Sequence, residues 1–396
     1  MQQQAVVMKP SYQNRQRLMK AEKAGVQGMK ESIIILGGGV IGLAAAFECR
    51  RRGHDVTLLE KVSCGGQASG AAAGMLAPFS EIEEDPDDFF RLGLRSLRLY
   101  SQWIEDVKKN SETNFEFSNS GSLHVVYHEA DLLSLESRQR WQGEFGVEAE
   151  IIKGRELFDL EPKLSKDIIA AMRYPEESHV YAPGYVKALE EACRNLGVTI
   201  KDHLEEVTVK EWESAVLLQA KNGETFTADK LVISSGAWAK EMEYVFQMNI
   251  PIVPIRGQIC AYEINNGEVQ HIVYSPQGYL VPKENGSLIN GASEDIAGFT
   301  TEVTKKGIDR LVKWNKNVFP FLEGKEPFHS WAGLRPATQD GYPLIGRKKE
   351  ASHIIFAAGH YRNGILLSPV TAEIVADTID GKEAEIPLHL FDPNRF

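Results

Sequence analysis

The sequence predicts an α/β protein, with a Rossmann-like domain assembled from discontinuous segments and a second, mostly antiparallel β-sheet domain. Three observations predict it. An apolar run meets a glycine-rich turn at 32–42, nucleotide-type runs return at 230–236 and 354–359, and short β-like stretches lie between them. At 396 residues the chain exceeds one ordinary core, so two interleaved lobes are expected.

Ser32-Ile33-Ile34-Ile35-Leu36 is continuously apolar, as a strand buried on both faces requires. Gly37 to Gly42 supplies a turn, and a small-residue helix follows through Ala44, Ala45, Ala46 and Phe47. Arg50, Arg51 and Arg52 fall in its last turn, where cations suit the helix dipole, and Gly53 ends it. Val56 to Glu60 reads as the second parallel strand. The next helix is expected to start at Asp85, with Pro86 at its first position. Phe90, Leu94, Leu97, Tyr100 or Ser101, and Ile104 recur at helical spacing and mark its buried face. Residues 117–127, 205–220 and 251–293 hold short runs broken by Asn-Gly turns, the pattern of an antiparallel sheet. A final helix carries Ile365, Leu366, Val370, Ile374 and Ile379 on its apolar positions.

The 43% apolar and 25% charged fractions are those of a soluble globular protein. A formal net charge of −11 argues against nucleic acid or an anionic membrane as the main partner. Cys49, Cys64, Cys193 and Cys260 form no CxxC pair, and the histidines show no HxxxH or HExxH spacing. Neither a metal site nor a disulfide framework is therefore expected, and reduced thiols fit a cytoplasmic location. No apolar run approaches the ~20 residues of a membrane-spanning helix. Residues 1–28 carry Lys9, Arg15, Arg17, Lys20 and Lys23 against the single acid Glu22. They read as an N-terminal extension, expected to be disordered, with Met29 as a natural start.

Gly37-Gly38-Gly39-Val40-Ile41-Gly42 is a GxGxxG run between a strand and a helix. Gly37 permits the turn, Gly39 lets backbone N–H groups approach a pyrophosphate, and Gly42 brings helix close to strand. Glu60 ends the following strand, where a carboxylate accepts hydrogen bonds from ribose hydroxyls. An ordinary βαβ turn is the competing reading. FAD is favoured over NAD by two further segments. Gly65 to Leu76 is rich in small residues that let backbone lie against a large planar ligand. Gly359-His360-Tyr361-Arg362-Asn363-Gly364 precedes a helix whose N-terminus suits the flavin N1/O2 edge, where negative charge develops on reduction. The FAD-binding domain is expected at 29–108, 175–250 and 335–396, and the substrate domain at 109–174 and 251–334.

On the substrate side, Arg335 lies between Leu334 and Pro336, at the end of a strand-like piece. Its planar fork suits bidentate binding of a carboxylate, with a structural ion pair as the alternative. Tyr279 lies in an alternating stretch and either donates a second hydrogen bond to that carboxylate or simply packs. Arg362 either lines the same pocket or holds the start of the last helix. No Ser/His/Asp or Cys/His constellation can be assembled, which fits chemistry supplied by a cofactor.

These residues resemble a known family. The glycine fingerprint with Glu60, Ser69 to Leu76, Trp331-Ala332-Gly333-Leu334-Arg335-Pro336, Asp340-Gly341 with Pro343, Ile345 and Gly346, and Ala357 to Leu367 are similar to the glycine oxidases. Those enzymes are linked to thiamin biosynthesis and belong to the D-amino-acid oxidase family. The resemblance spans about 32–380. It implies non-covalent FAD, since no cysteine follows Cys260, with contacts from Val40, Ile41, Glu60, Lys61, Ala68, Ser69, Ala73, Gly74, Met75 and Val207. His360, Tyr361, Arg362, Asn363, Gly364, Ile365 and Leu366 complete that set. It also implies a small amino-acid substrate on Arg335 and Arg362 with Tyr279 beside the carboxylate, O2 as oxidant, and a homo-oligomer such as a tetramer. A sarcosine oxidase or D-amino-acid dehydrogenase on the same scaffold, and a flavin-binding regulatory protein without turnover, are the alternatives. Two departures bear on substrate range. Gln277 stands two positions before Tyr279 where some relatives carry histidine, and Glu294 stands where relatives can carry an apolar residue.

Overall fold

The structure is a computed structural model and describes residues 30–81 and 86–396. The expected N-terminal extension, Met29 and Asp85 lie outside the described residues.

The first sheet runs in the order Leu344–Lys348, Ala351–Ala358, Lys230–Ile233, Ser32–Leu36, Asp55–Leu59, Thr199–Lys201. All pairs are parallel except the first. Ile33 and Ile35 point into one core, and Ile34 and Leu36 into another, which is why the strand reads as an unbroken apolar run. The first core is closed by the helices Val40–Arg51, Asp88–Lys109, Ala182–Asn195 and Gly364–Asp380. The opposite face is covered by the antiparallel meander Val207–Glu211, Val216–Ala220, Thr225–Ala228, through Val216, Leu218 and Ala220.

The helix expected from Asp85 begins at Asp88. Asp87 caps it, accepting from Phe90 N at 2.8 Å, so Pro86 falls before the helix rather than at its first position. Of the two residues offered for one buried position, Tyr100 is buried and bonds to Ile365 O, while Ser101 is exposed.

The second sheet has the order His329–Thr338, Ile252–Glu263, Ser287–Gly291, Gly278–Pro282, Ile272–Ser275, Ser122–Val126, Ala170–Tyr174, Glu150–Lys153. Its pairs are antiparallel except where Ile272–Ser275 meets Ser122–Val126. Alternation sorts its two faces. Cys260, Tyr262, Leu280 and Leu288 pack on the helix Lys305–Val318, whereas Ile259, Tyr279, Val281 and Ile289 face the other way. His329–Thr338 belongs to this sheet throughout, so the domain boundary expected at 334/335 falls inside a strand, and Arg335 is within it rather than at its end.

Candidate functional site

A cavity of ≈ 470 Å³ lies where the two sheets meet. Its glycine-rich end forms at the first βα turn. An added Cβ at Gly42 would stand 1.9 Å from Gly37 O, so only glycine lets the helix start this close to the strand. Glu60 fastens the loop, accepting from Gly38 N at 2.7 Å and Val62 N at 2.8 Å. Ser69 accepts from Val40 N at 3.0 Å, tying the small-residue segment to the helix start.

The structure brings most of the sequence-predicted residues to this cavity. Gly37, Gly39, Val40, Ile41, Glu60, Lys61, Ala68 and Ser69 line it, with Ala73, Gly74, Met75 and Val207. His360, Tyr361 and Arg362 line it from the turn before the last helix, and Gly364 and Ile365 from its first residues, together with Arg335 and Tyr279. Three predicted residues do not line it. Gly42 packs against Gly37, Asn363 is the residue before the final helix, and Leu366 is buried in the first core. Burial holds the His360 imidazole down at about 3, so it is neutral, with Nε2 3.0 Å from Thr371 Oγ1.

Two glycines make room for the charged end. A Cβ at Gly257, on the neighbouring strand, would stand 2.1 Å from Arg335 Nη1, so the guanidinium lies over bare backbone. A Cβ at Gly291 would stand 2.6 Å from the Tyr279 hydroxyl. Arg335 Nη1 donates to Ser293 O at 3.0 Å, and among the described residues no carboxylate lies within ion-pair distance of it. Tyr279 is buried, and burial raises its phenol above the usual range.

Arg362 is engaged differently. Its Nε lies 4.0 Å from Glu81 Oε2 and its Nη1 3.5 Å from Glu294 Oε1, and Glu81 above all holds its charge in place. Burial raises the Glu81 carboxyl above the ordinary carboxylate range, with Arg362 and Arg335 opposing. Sequence reasoning missed Glu81 as a site residue, because it precedes Glu83, Glu84 and Asp85 and looks like part of a solvated acidic run. The signal was its place directly after the small-residue segment. Glu177 aims it. The buried Glu177 carboxyl accepts from Phe79 N at 2.7 Å and Ser80 N at 2.8 Å, fixing the short helix Pro78–Glu81. Trp238, another lining residue without a sequence motif, stacks near Phe299 and lies under the Lys61 ammonium.

These residues fit the dinucleotide expected from sequence. The first turn of the helix Val40–Arg51 starts at the cavity, with Val40 and Ile41 among its lining residues. The Ser235 hydroxyl lines it and is buried without a hydrogen-bond partner among the described residues, a donor and acceptor that a bound polar group satisfies. Among the described residues no helix is long and apolar enough to cross a membrane.

Comparison with known proteins agrees with the geometry. Residues 32–378 match the family described as FAD dependent oxidoreductase. A glycine oxidase of Geobacillus kaustophilus (strain HTA426) is 32% identical over 366 residues, covering 92% of this chain and 96% of that one. The bifunctional protein ThiO/ThiG of Synechocystis sp. (strain ATCC 27184 / PCC 6803 / Kazusa) is 32% identical over 371 residues, which is 92% of this chain and 54% of that longer one. The crystal structure of glycine oxidase from Geobacillus kaustophilus superposes with a TM-score of 0.87 at 31% identity, covering 93% of this chain and 99% of that one.

Proposed function

The chain belongs to the FAD-dependent oxidoreductase family, and from that premise we propose that it oxidatively deaminates glycine and similarly small amino acids, including sarcosine and small D-amino acids. The observation that carries this reading is Arg335, a cavity-lining guanidinium with no carboxylate of its own within ion-pair distance among the described residues. An arginine held over glycine backbone, with no counterion among the described residues, suits bidentate binding of a small carboxylate. Tyr279 adds a hydroxyl on the same wall, and Glu81 brings a carboxyl to the same cavity.

FAD held by the glycine turn and the residues before the final helix would supply the two-electron redox chemistry, with O2 as the final acceptor. The protein's part is orientation. Arg335 and Tyr279 would hold the carboxylate, and an unprotonated amine would leave the α-hydrogen open to the bound cofactor. The apolar wall of Ala73, Ile259 and Met75 limits water around the reacting carbon. With glycine the balance is glycine, O2 and water giving glyoxylate, ammonia and hydrogen peroxide. Gly37, Gly39, Val40, Ile41, His360, Tyr361, Gly364 and Ile365 are assigned to the cofactor, and Arg335, Tyr279 and Arg362 to the substrate side.

The test is direct. Glycine added anaerobically to the holoenzyme is expected to bleach the flavin absorbance, and under air a peroxide-coupled assay is expected to respond to glycine and sarcosine. An unchanged flavin spectrum with every small amino acid tried would remove this reading.

A further inference from the structure

Glu294 has no role in the reading above, yet it is tied to the charged end from two directions. Its chain neighbour Ser293 supplies the carbonyl that accepts from Arg335 Nη1 at 3.0 Å. Ser293 is itself fixed, its Oγ accepting from Gln258 N at 3.1 Å and donating to Asp295 Oδ2 at 2.7 Å. The Glu294 side chain then reaches across to the other lobe. It accepts from the Tyr361 hydroxyl at 2.8 Å and lies 3.5 Å from Arg362 Nη1.

Arg362 therefore meets two carboxylates, Glu81 on its more buried side and Glu294 on its exposed side. The two arginines of the cavity differ for that reason. Arg335 keeps its charge for a ligand, and the charge of Arg362 is already matched before one arrives. A ligand bearing a second anionic group would have to displace Glu294 from Arg362 or sit beside a like charge.

Resting on the reading that Arg335 anchors the substrate carboxylate, we propose that Glu294 is a specificity-determining residue that shields Arg362 and restricts the site to amino acids with one anionic group. Substrates whose N-substituent or side chain is uncharged or cationic pass this filter. Those with a second carboxylate or a phosphonate are rejected. A like charge about 6 Å away at an effective dielectric of about 40 changes affinity roughly tenfold.

The informative variant is Glu294→Gln, which keeps the length and an acceptor for Tyr361 but removes the charge. Holoenzyme of both forms is titrated with acetate and with malonate, following the flavin absorbance, and kcat/KM is measured for sarcosine and iminodiacetate. These two substrates differ by one carboxylate on the N-substituent. In the variant, acetate Kd is expected to stay within about twofold while malonate tightens about tenfold, a difference that shrinks at high salt. The iminodiacetate-to-sarcosine ratio of kcat/KM is expected to rise by a similar factor. A malonate-to-acetate ratio equal in the two forms overturns the proposal. So does equal weakening of both anions, because Glu294 would then only hold Tyr361 in place. If neither anion perturbs the wild-type flavin, and Arg335→Ala behaves as wild type, the carboxylate anchor itself is wrong and this inference falls with it.

Discussion

The glycine-rich end of the cavity is made of backbone from neighbouring stretches of chain, whereas its charged end is made of side chains from five separate segments. Gly37 to Gly42, Glu60 and Ser69 lie within about one βαβ unit and are joined by hydrogen bonds of 2.7–3.0 Å. Glu81, Tyr279, Arg335 and Arg362, with Glu294 beside Arg362, come from remote parts of the chain and meet only in the folded molecule. The difference separates what each end tolerates. Backbone closeness is intolerant of added volume, and a side-chain receptor is intolerant of lost charge or lost position.

Removing charge at the second end gives the largest expected effect. Arg335→Ala should lower kcat/KM by about 2–5 kcal/mol of transition-state stabilisation, with FAD content unchanged. A variant that loses FAD instead would join the two ends that the comparison separates. Adding volume at the first end comes next. Gly42→Val places Cβ into Gly37 O and should cost ~3 kcal/mol in overpacking, leaving protein with less bound FAD and a lower Tm. Retention of full FAD content by that variant would show that the helix start is not what the cofactor reads.

Glu177 sharpens the comparison through pH. Burial pushes its carboxyl up to about 7, above the ordinary value of 4.5, while it accepts from two backbone N–H groups and the hydroxyls of Ser80 and Ser122. The folded state therefore favours the protonated acid. That contribution is fully present below pH 4.5 and is lost as pH rises through about 7. Stability measured by denaturant should fall by about 3 kcal/mol across this window, and Glu177→Gln should flatten the slope. A wild-type slope identical to that of the variant would contradict it. The smallest effect is expected for Gly257→Ala. The flexible Arg335 head must move aside, so substrate affinity should drop by about 1 kcal/mol while Tm and FAD content hold. KM against kcat separates this displacement from a general loss of folding.

The same contrast explains what could be read before the structure. The strand Ser32–Leu36, the turn at Gly37 and the final helix were legible because period, glycine position and apolar run all lie in one short window. Arg335 and Tyr279 stood out by their motifs, and both line the cavity, but nothing in the sequence said that Gly257 and Gly291 clear the space they occupy. Asp87 rather than Pro86 defines a helix start because a capping carboxylate satisfies a free N–H, a choice local patterning left open.

By itself the sequence determined the α/β class, the glycine cradle and the residues able to bind a carboxylate, because each depends on neighbours within a few positions. Tertiary structure decided which of the two arginines meets carboxylates among the described residues and which does not. That outcome depends on Glu81 and Glu294, which stand more than 200 residues apart in the chain and reach opposite sides of Arg362 only when the two sheets close on each other. Charge pairing falls steeply with distance, and distance between remote segments is a property of the packed molecule alone.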